Sequence, residues 1–268
     1  VLKEPAEVRA QLGLDPSKKT AVIFSHVLWD ATFFFGENLF PDYEAWLVAT
    51  VKAACENPRV NWLIKLHPDY VWKMKQMGES AAPRDVIALQ AEIGTLPPHV
   101  QVVPSETDIS TYSFFGVTDY CITVRGTIGI EAPCFGIRTF TAGTGRYSGL
   151  GFTEDAATPE EYLATMRSIE EFPRLTPEET SLARRHAWAL FSLRPLPFAS
   201  CEIAPCHAER SPERRRGAKS KHPSFEQEAI VRVHSLEELA RAKDINVFLD
   251  WILASGEEDY LYGFAIKT

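Results

Sequence analysis

Between residues 19 and 142 short apolar runs alternate with longer stretches in which apolar residues recur at three- and four-residue intervals. KTAVIFSH (19–26), NWLIKLH (61–67), HVQVVP (99–104), DYCITV (119–124) and IRTFTA (137–142) read as strands. DYEAWLVATVKAACEN (42–57), PRDVIALQAEIGTL (83–96), DISTYSFFGV (108–117) and TIGIEAPCFG (127–136) read as the helices between them, the third with Asp108 as its N-cap. The strand runs are apolar enough to be covered on both faces. Strands of that kind separated by helices predict an α/β, Rossmann-like doubly wound parallel sheet of five or six strands. Two further helices are expected over 158–172 and 176–193, the first opening on Thr158-Pro159 and a carboxylate pair.

The pattern then breaks. HAERSPERRRGAKSKHPS (207–224) is charged, rich in breakers and almost without apolar residues, as a solvated mobile loop would be. SLEELARAKDINVFLDWILASG (235–256) regains helical periodicity. The expected organisation is a nucleotide-binding-type domain over 1–200, a mobile charged loop over 201–230 and a helical tail over 231–268.

Composition narrows this picture. The 268 residues are 45% apolar and 24% charged, ordinary for a globular protein, and the net charge of −8 argues against a whole-protein nucleic-acid binder. No apolar run approaches the roughly 18 residues of a membrane span. The N-terminus, VLKEPAEVRA, has neither the apolar core nor the cleavage pattern of a signal peptide. It lacks an initiator methionine and reads as the middle of a linker and helix, as a fragment of a longer protein would. Five cysteines form no disulfide framework, and Cys201, Cys206 and His207 do not have a standard zinc spacing, so no metal site is expected. A reduced, cytoplasmic protein is the expectation. The basic run within 207–224 leaves open a peripheral contact with the inner membrane, against the simpler reading of a solvated loop.

Open parallel sheets bind ligands beyond the carboxyl ends of their strands, and each unusual polar cluster of this chain falls at such an end. The first strand runs into Ser25 and His26, with Asp30 just after; His26 and Asp30 are candidates for acid–base chemistry, against a plain rim histidine. The second runs into Lys65 and His67-Pro68, where the lysine either adds charge or faces solvent. The fourth delivers VRGTIGIEAP (124–133). Here Arg125, Gly126 and Thr127 lead into a helix whose first amides are free for a phosphate, and Glu131 lies one turn on, within reach of a ribose. The alternative is an ordinary capped helix in which Gly129 and Ala132 are small for packing. The fifth opens into a glycine-rich stretch, GTGRYSGLG (143–151), that either closes over a ligand with Arg146 as a cation or merely connects.

KLHP at a second strand end, followed by TDYCITVRGTIGIEAPCFGIRTF (118–140), resembles the nucleotide-binding C-terminal half of GT-B-fold glycosyltransferases. The likeness is to bacterial capsule-polysaccharide enzymes of the Kdo-transferase and CDP-glycerol-transferase kinds, over roughly residues 18–195. The same stretch also resembles the non-hydrolysing UDP-N-acetylglucosamine 2-epimerases, although Ile130-Glu131-Ala132-Pro133 keeps only the second glutamate of their paired motif. The resemblance implies that His67 contacts the donor phosphate, with Lys65 adding charge, Gly126-Thr127 holding phosphate and Glu131 the ribose; Arg125 and Arg146 stay candidates on the strand-end reading alone. It implies no cofactor beyond a CMP-, CDP- or UDP-linked sugar, no metal, a glycan or glycolipid acceptor, and an N-terminal acceptor domain that this chain lacks. A non-catalytic nucleotide-binding or scaffolding domain remains the third reading.

Overall fold

The computed structural model describes residues 2–28, 36–68, 83–195, 199–205 and 227–254. They fall into two compact units, Val1–Ala187 and Trp188–Thr268.

The first unit is built on a six-stranded, all-parallel sheet: β1 (Lys19–Phe24), β2 (Val60–Lys65), β3 (Val100–Val103), β4 (Tyr120–Thr123), β5 (Arg138–Thr141) and β6 (Glu154–Asp155). The spatial order is β3-β2-β1-β4-β5-β6. Five of the strands coincide with the apolar runs; β6 is a two-residue edge pairing that no apolar pattern marks.

The helices of this unit are α1 (Pro5–Leu12), α2 (Tyr43–Cys55), α3 (Arg84–Glu92), α4 (Thr111–Phe115), α5 (Ile128–Glu131), α6 (Pro159–Arg167) and α7 (Pro177–Trp188, whose last residue belongs to the second unit). Asp42 caps α2 by accepting from Ala45 N, and Thr158 caps α6 by accepting from Glu161 N. At α4 the expectation fails. Ser110 is the cap, accepting from Ser113 N, while Asp108 is turned away to Lys3 (2.6 Å) and Gln11 (2.8 Å). The helix expected over 127–136 is a single α-turn, α5, that tightens into a 3-10 turn over Ala132–Phe135. Pro133 has no N–H to continue an α-ladder, and Gly136 (φ 75°) closes the turn in a left-handed conformation.

Each sheet face carries its own core. Alternate residues of β1 divide between them: Ala21 and Ile23 pack with Trp46, Trp62 and Tyr162, and Val22 and Phe24 with Leu63, Phe114 and Val117. This two-sided burial is why the strands read as continuous apolar runs. On the first face α2 and α6 are tied by a buried polar contact. Trp46 Nε1 donates to Tyr162 Oη at 2.9 Å, and Thr50 Oγ1 lies 3.1 Å from the same oxygen.

The second unit contains an antiparallel hairpin, β7 (Cys201–Pro205) with β8 (Gln227–Val231), and two helices, α8 (Leu236–Arg241) and α9 (Lys243–Ala254). Residues 201–205 and 227–230 were expected in a loop. Their pairing, Cys201 opposite Val231 through Pro205 opposite Gln227, corrects that boundary. Most of the charged stretch, 206–226, lies outside the described residues. The helices of the expected tail are present, with Ser235 capping α8 and Asp244 accepting from both the amide (2.8 Å) and the hydroxyl (2.7 Å) of Ser200. No helix among the described residues is long and apolar enough to cross a membrane.

Candidate functional site

From β1 the chain moves one way to β2 and β3, and the other way to β4, β5 and β6. Connections therefore part between β1 and β4, and the crevice beyond their carboxyl ends is where an open α/β sheet has room for a ligand.

The walls of that crevice are fixed by short-range bonding. Ser25 N continues the ladder by donating to Lys65 O at 3.0 Å, and Ser25 Oγ accepts from His67 N at 3.1 Å. One serine thus ties the end of β1 to the turn after β2. His26 bridges the other way: its Nε2 accepts from Val124 N (3.2 Å) and lies 3.0 Å from Thr123 Oγ1. An amide N–H can only donate, so Nε2 is the unprotonated nitrogen and the ring proton sits on Nδ1. The ring stacks on Tyr43, with centroids 4.3 Å apart.

After β4, Val124-Arg125-Gly126-Thr127 turns into α5. Gly126 N donates to Thr123 Oγ1 (3.3 Å), while the amides of Thr127 and Ile128 donate no hydrogen bond among the described residues. A Cβ on Gly126 would sit 3.2 Å from Thr123 Oγ1 and 3.4 Å from His26 Cε1. That is crowded but close to ordinary contact. At Gly129 a Cβ would lie 2.2 Å from Tyr147 Oη, so this glycine is small because the tyrosine covers it. The packing alternative therefore holds for Gly129.

Tyr147 belongs to the glycine-rich stretch and is buried (1% exposed), its hydroxyl donating to Gly126 O at 2.9 Å. The stretch is pinned further by Gly145 N to Ser148 Oγ (2.8 Å) and Gly149 N to Asp155 Oδ2 (2.7 Å). It forms a buttress behind the turn.

Two clefts meet at this turn. The first, about 210 Å³, brings together Lys65, His67, Gly126, Thr127 and Glu131, although some sixty residues separate the two groups in sequence. The second, about 250 Å³, is faced by Arg125, Arg146, Tyr43 and Tyr147. His26, Gly126 and Thr127 line both. Asp30, the other acid–base candidate, lies outside the described residues.

The cations differ in character. Lys65 does not face solvent: it is 6% exposed, its Nζ donates to Leu66 O at 3.0 Å, and burial pulls its pKa below the usual lysine value. Arg125 is anchored through Nη2 to Glu37 O (3.1 Å) and to Asn38 Oδ1, while Nε and Nη1 are buried and make no hydrogen bond among the described residues. Arg146 is exposed on the rim of the second cleft.

Two residues of this site, and one buried acid outside its lining, were not singled out as candidates from the sequence. Ser25 was visible as a strand-end residue, but its hold on His67 depends on strand order. Tyr147 has no local signal. Asp85, in the first turn of α3, is fully buried, which nothing in its polar neighbourhood, Pro83-Arg84-Asp85, foretells.

No protein-family model matches the chain, and no curated protein does. Solved structures of similar shape exist at low identity. A UDP-N-acetylglucosamine 2-epimerase of Listeria monocytogenes is 14% identical with a TM-score of 0.42, covering 69% of this chain and 46% of its own. The β-Kdo 2,7-transferase KpsC of Thermosulfurimonas dismutans is 18% identical with a TM-score of 0.40, covering 70% and 52%. The wall teichoic acid polymerase TagF is 9% identical with a TM-score of 0.40, covering 68% and 39%. The chain thus spans about half the length of these proteins or less.

Proposed function

We propose that this chain is the donor-nucleotide-binding half of a glycosyltransferase that takes a sugar from a nucleotide-sugar, in the synthesis of a bacterial capsule or surface polysaccharide. The observation that carries the reading is the first cleft, where His67, the glycine turn and Glu131 converge at the point where the strand order reverses. The residues suit a nucleotide end to end. The amides of Thr127 and Ile128, which make no other hydrogen bond among the described residues, and the Thr127 hydroxyl supply donors for a phosphate, His67 and Lys65 supply further polar contacts beside it, and Glu131 accepts from ribose hydroxyls.

The chemistry follows from where charge grows. As the sugar–oxygen bond breaks, negative charge accumulates on the departing phosphate, and donors already fixed around it stabilise that charge without reorganising. The second cleft, across the turn and beside Arg125 and Arg146, leaves space for the transferred group. In this reading the charges of the chain itself do what a metal would otherwise do. The acceptor is a glycan or glycolipid, and the site works on the cytoplasmic side, where a glycolipid acceptor would bring it to the inner membrane.

Calorimetry with CMP, CDP, UDP and GDP tests the reading. One nucleotide should bind well above the others; binding of none would overturn the proposal. Turnover of a nucleotide-sugar without any acceptor would replace transfer by epimerisation.

A further inference from the structure

Lys65 and Arg138 are the two buried basic residues among those described, at 6% and 8% exposure, and the fold treats them differently. Arg138 is paired with two carboxylates, Glu154 and Glu179 (3.3 Å), and its Nε donates to Pro173 O at 2.6 Å. That is how a buried cation is ordinarily compensated. Lys65 pairs with no carboxylate among the described residues, and its Nζ donates only to Leu66 O, the carbonyl of the next residue. Across the glycine turn Arg125 repeats the pattern. Its Nη2 donates to two uncharged acceptors, Glu37 O and Asn38 Oδ1, its Nε and Nη1 are buried, and no carboxylate among the described residues pairs with it. With 36 acidic residues to 28 basic ones, the chain does not lack acids to place there.

Each of these cations lines a different cleft, Lys65 the first and Arg125 the second. Glu131 is the one described carboxylate lining the first, and no described acidic residue lines the second. A buried charge without a partner is costly, and an anion bound beside it offsets that cost. One anion cannot serve both cations. Lys65 ends β2 and Arg125 follows β4, with β1 between them, so their backbones stand roughly 10 Å apart, twice the spacing of paired strands. The clefts also draw on opposite faces of the sheet: Phe24 in the first belongs to one core and Tyr43 in the second to the other.

We propose that the bound donor carries two anionic groups, a phosphate in the first cleft matched to Lys65 and a second anion in the other cleft matched to Arg125. The inference rests on the reading of the first cleft as a phosphate site. The second anion is the further phosphate of a nucleoside diphosphate or a carboxylate on the transferred sugar; both place negative charge on the far side of Thr127. A nucleoside monophosphate joined to a neutral sugar would leave Arg125 without a partner.

The test is calorimetry on the full chain, using the base of the nucleotide selected from the CMP, CDP, UDP and GDP panel. Two comparisons are made on that base: the nucleoside diphosphate against its monophosphate, and the monophosphate linked to a sialic acid against the methyl ester of the same compound. In the wild type at least one comparison should favour the more anionic ligand by about tenfold or more, the effect of a charge-assisted contact, and which one does so names the second anion. In R125M that preference should shrink to about twofold or less, whereas R125K, which keeps the charge, should retain most of it. Thermal melts establish that each variant is folded. Should R125M not fold, the wild type and R125K decide: a preference kept by both supports the inference. Free K65M loses a costly buried charge, so it should melt no lower than the wild type and gain less from saturating nucleotide. A wild type with no preference in either comparison, a preference that survives in R125M, or a free K65M melting well below the wild type overturns the inference and leaves nucleotide binding standing. Failure of the wild type to bind any nucleotide overturns the phosphate reading itself.

Discussion

His67 and Asp85 are probed by different substitutions and different measurements. His67→Ala removes the imidazole but leaves the amide that donates to Ser25 Oγ, so the turn keeps its shape. Nucleotide affinity should fall by about 1–3 kcal/mol, the scale of a charge-assisted contact, with the melting temperature nearly unchanged. Equal affinities would mean the ring does not touch the ligand. Asp85 makes its own prediction without any ligand. Its folded pKa lies above the ordinary 3.8, so above that pH the native chain retains a proton that the unfolded chain has released. Stability from this group is therefore fullest at low pH and is lost as pH rises toward the folded pKa. Relative to the wild type, D85N should gain stability from pH 4 upward and level off once Asp85 ionises. Urea titrations across that range would show it, and a constant difference would mean the carboxyl titrates normally. Lys65 was left by the sequence as either adding charge or facing solvent, and the second alternative fails because β2 is covered on both faces.

At the scale of elements, the two glycines of α5 and its entry turn have different work. Gly129→Ala would drive a methyl into the Tyr147 hydroxyl and dislodge its bond to Gly126 O, costing about 1–3 kcal/mol of stability as overpacking does. Nucleotide affinity should fall with it, because the buttress and the turn move together. Gly126→Ala would place its methyl 3.2 Å from Thr123 Oγ1, which must give way slightly, so its melting temperature should fall less than that of Gly129→Ala while affinity drops. Circular dichroism melts beside calorimetry distinguish the two patterns. On the face of the sheet covered by α2 and α6, Tyr162→Phe strands the buried Trp46 N–H and should cost about 1–3 kcal/mol in chemical denaturation. The sequence made strands easy to read, because two-sided burial writes unbroken apolar runs. Helix ends were harder: Asp108 and Ser110 are both favoured caps, and the contacts of Asp108 with Lys3 and Gln11, far away in the chain, decided between them. The hairpin of β7 and β8 was illegible, since its strands are five residues each and interrupted by a long charged stretch.

For the whole molecule, the candidate site lies entirely within the first unit, from the end of β1 to Tyr147. A chain ending at residue 195 should therefore melt cooperatively and bind the selected nucleotide with unchanged affinity; loss of binding on truncation would show that the second unit contributes to the site. The convergence of distant residues was readable once a parallel sheet was inferred, because such a sheet sends every carboxyl end to one edge. The strand order has a kinetic consequence too. β1 pairs with β4 through Ala21 opposite Tyr120, contacts about 100 residues apart, and such non-local pairing slows folding. During refolding β1, β2 and β3 can assemble first, and at that stage the turn at Gly126 has nothing to face. A nucleotide would find half a cradle. It should therefore leave the refolding rate alone and act only on the reverse process, slowing escape from the finished fold, so that a cell holding ample nucleotide would keep this protein longer without making it faster.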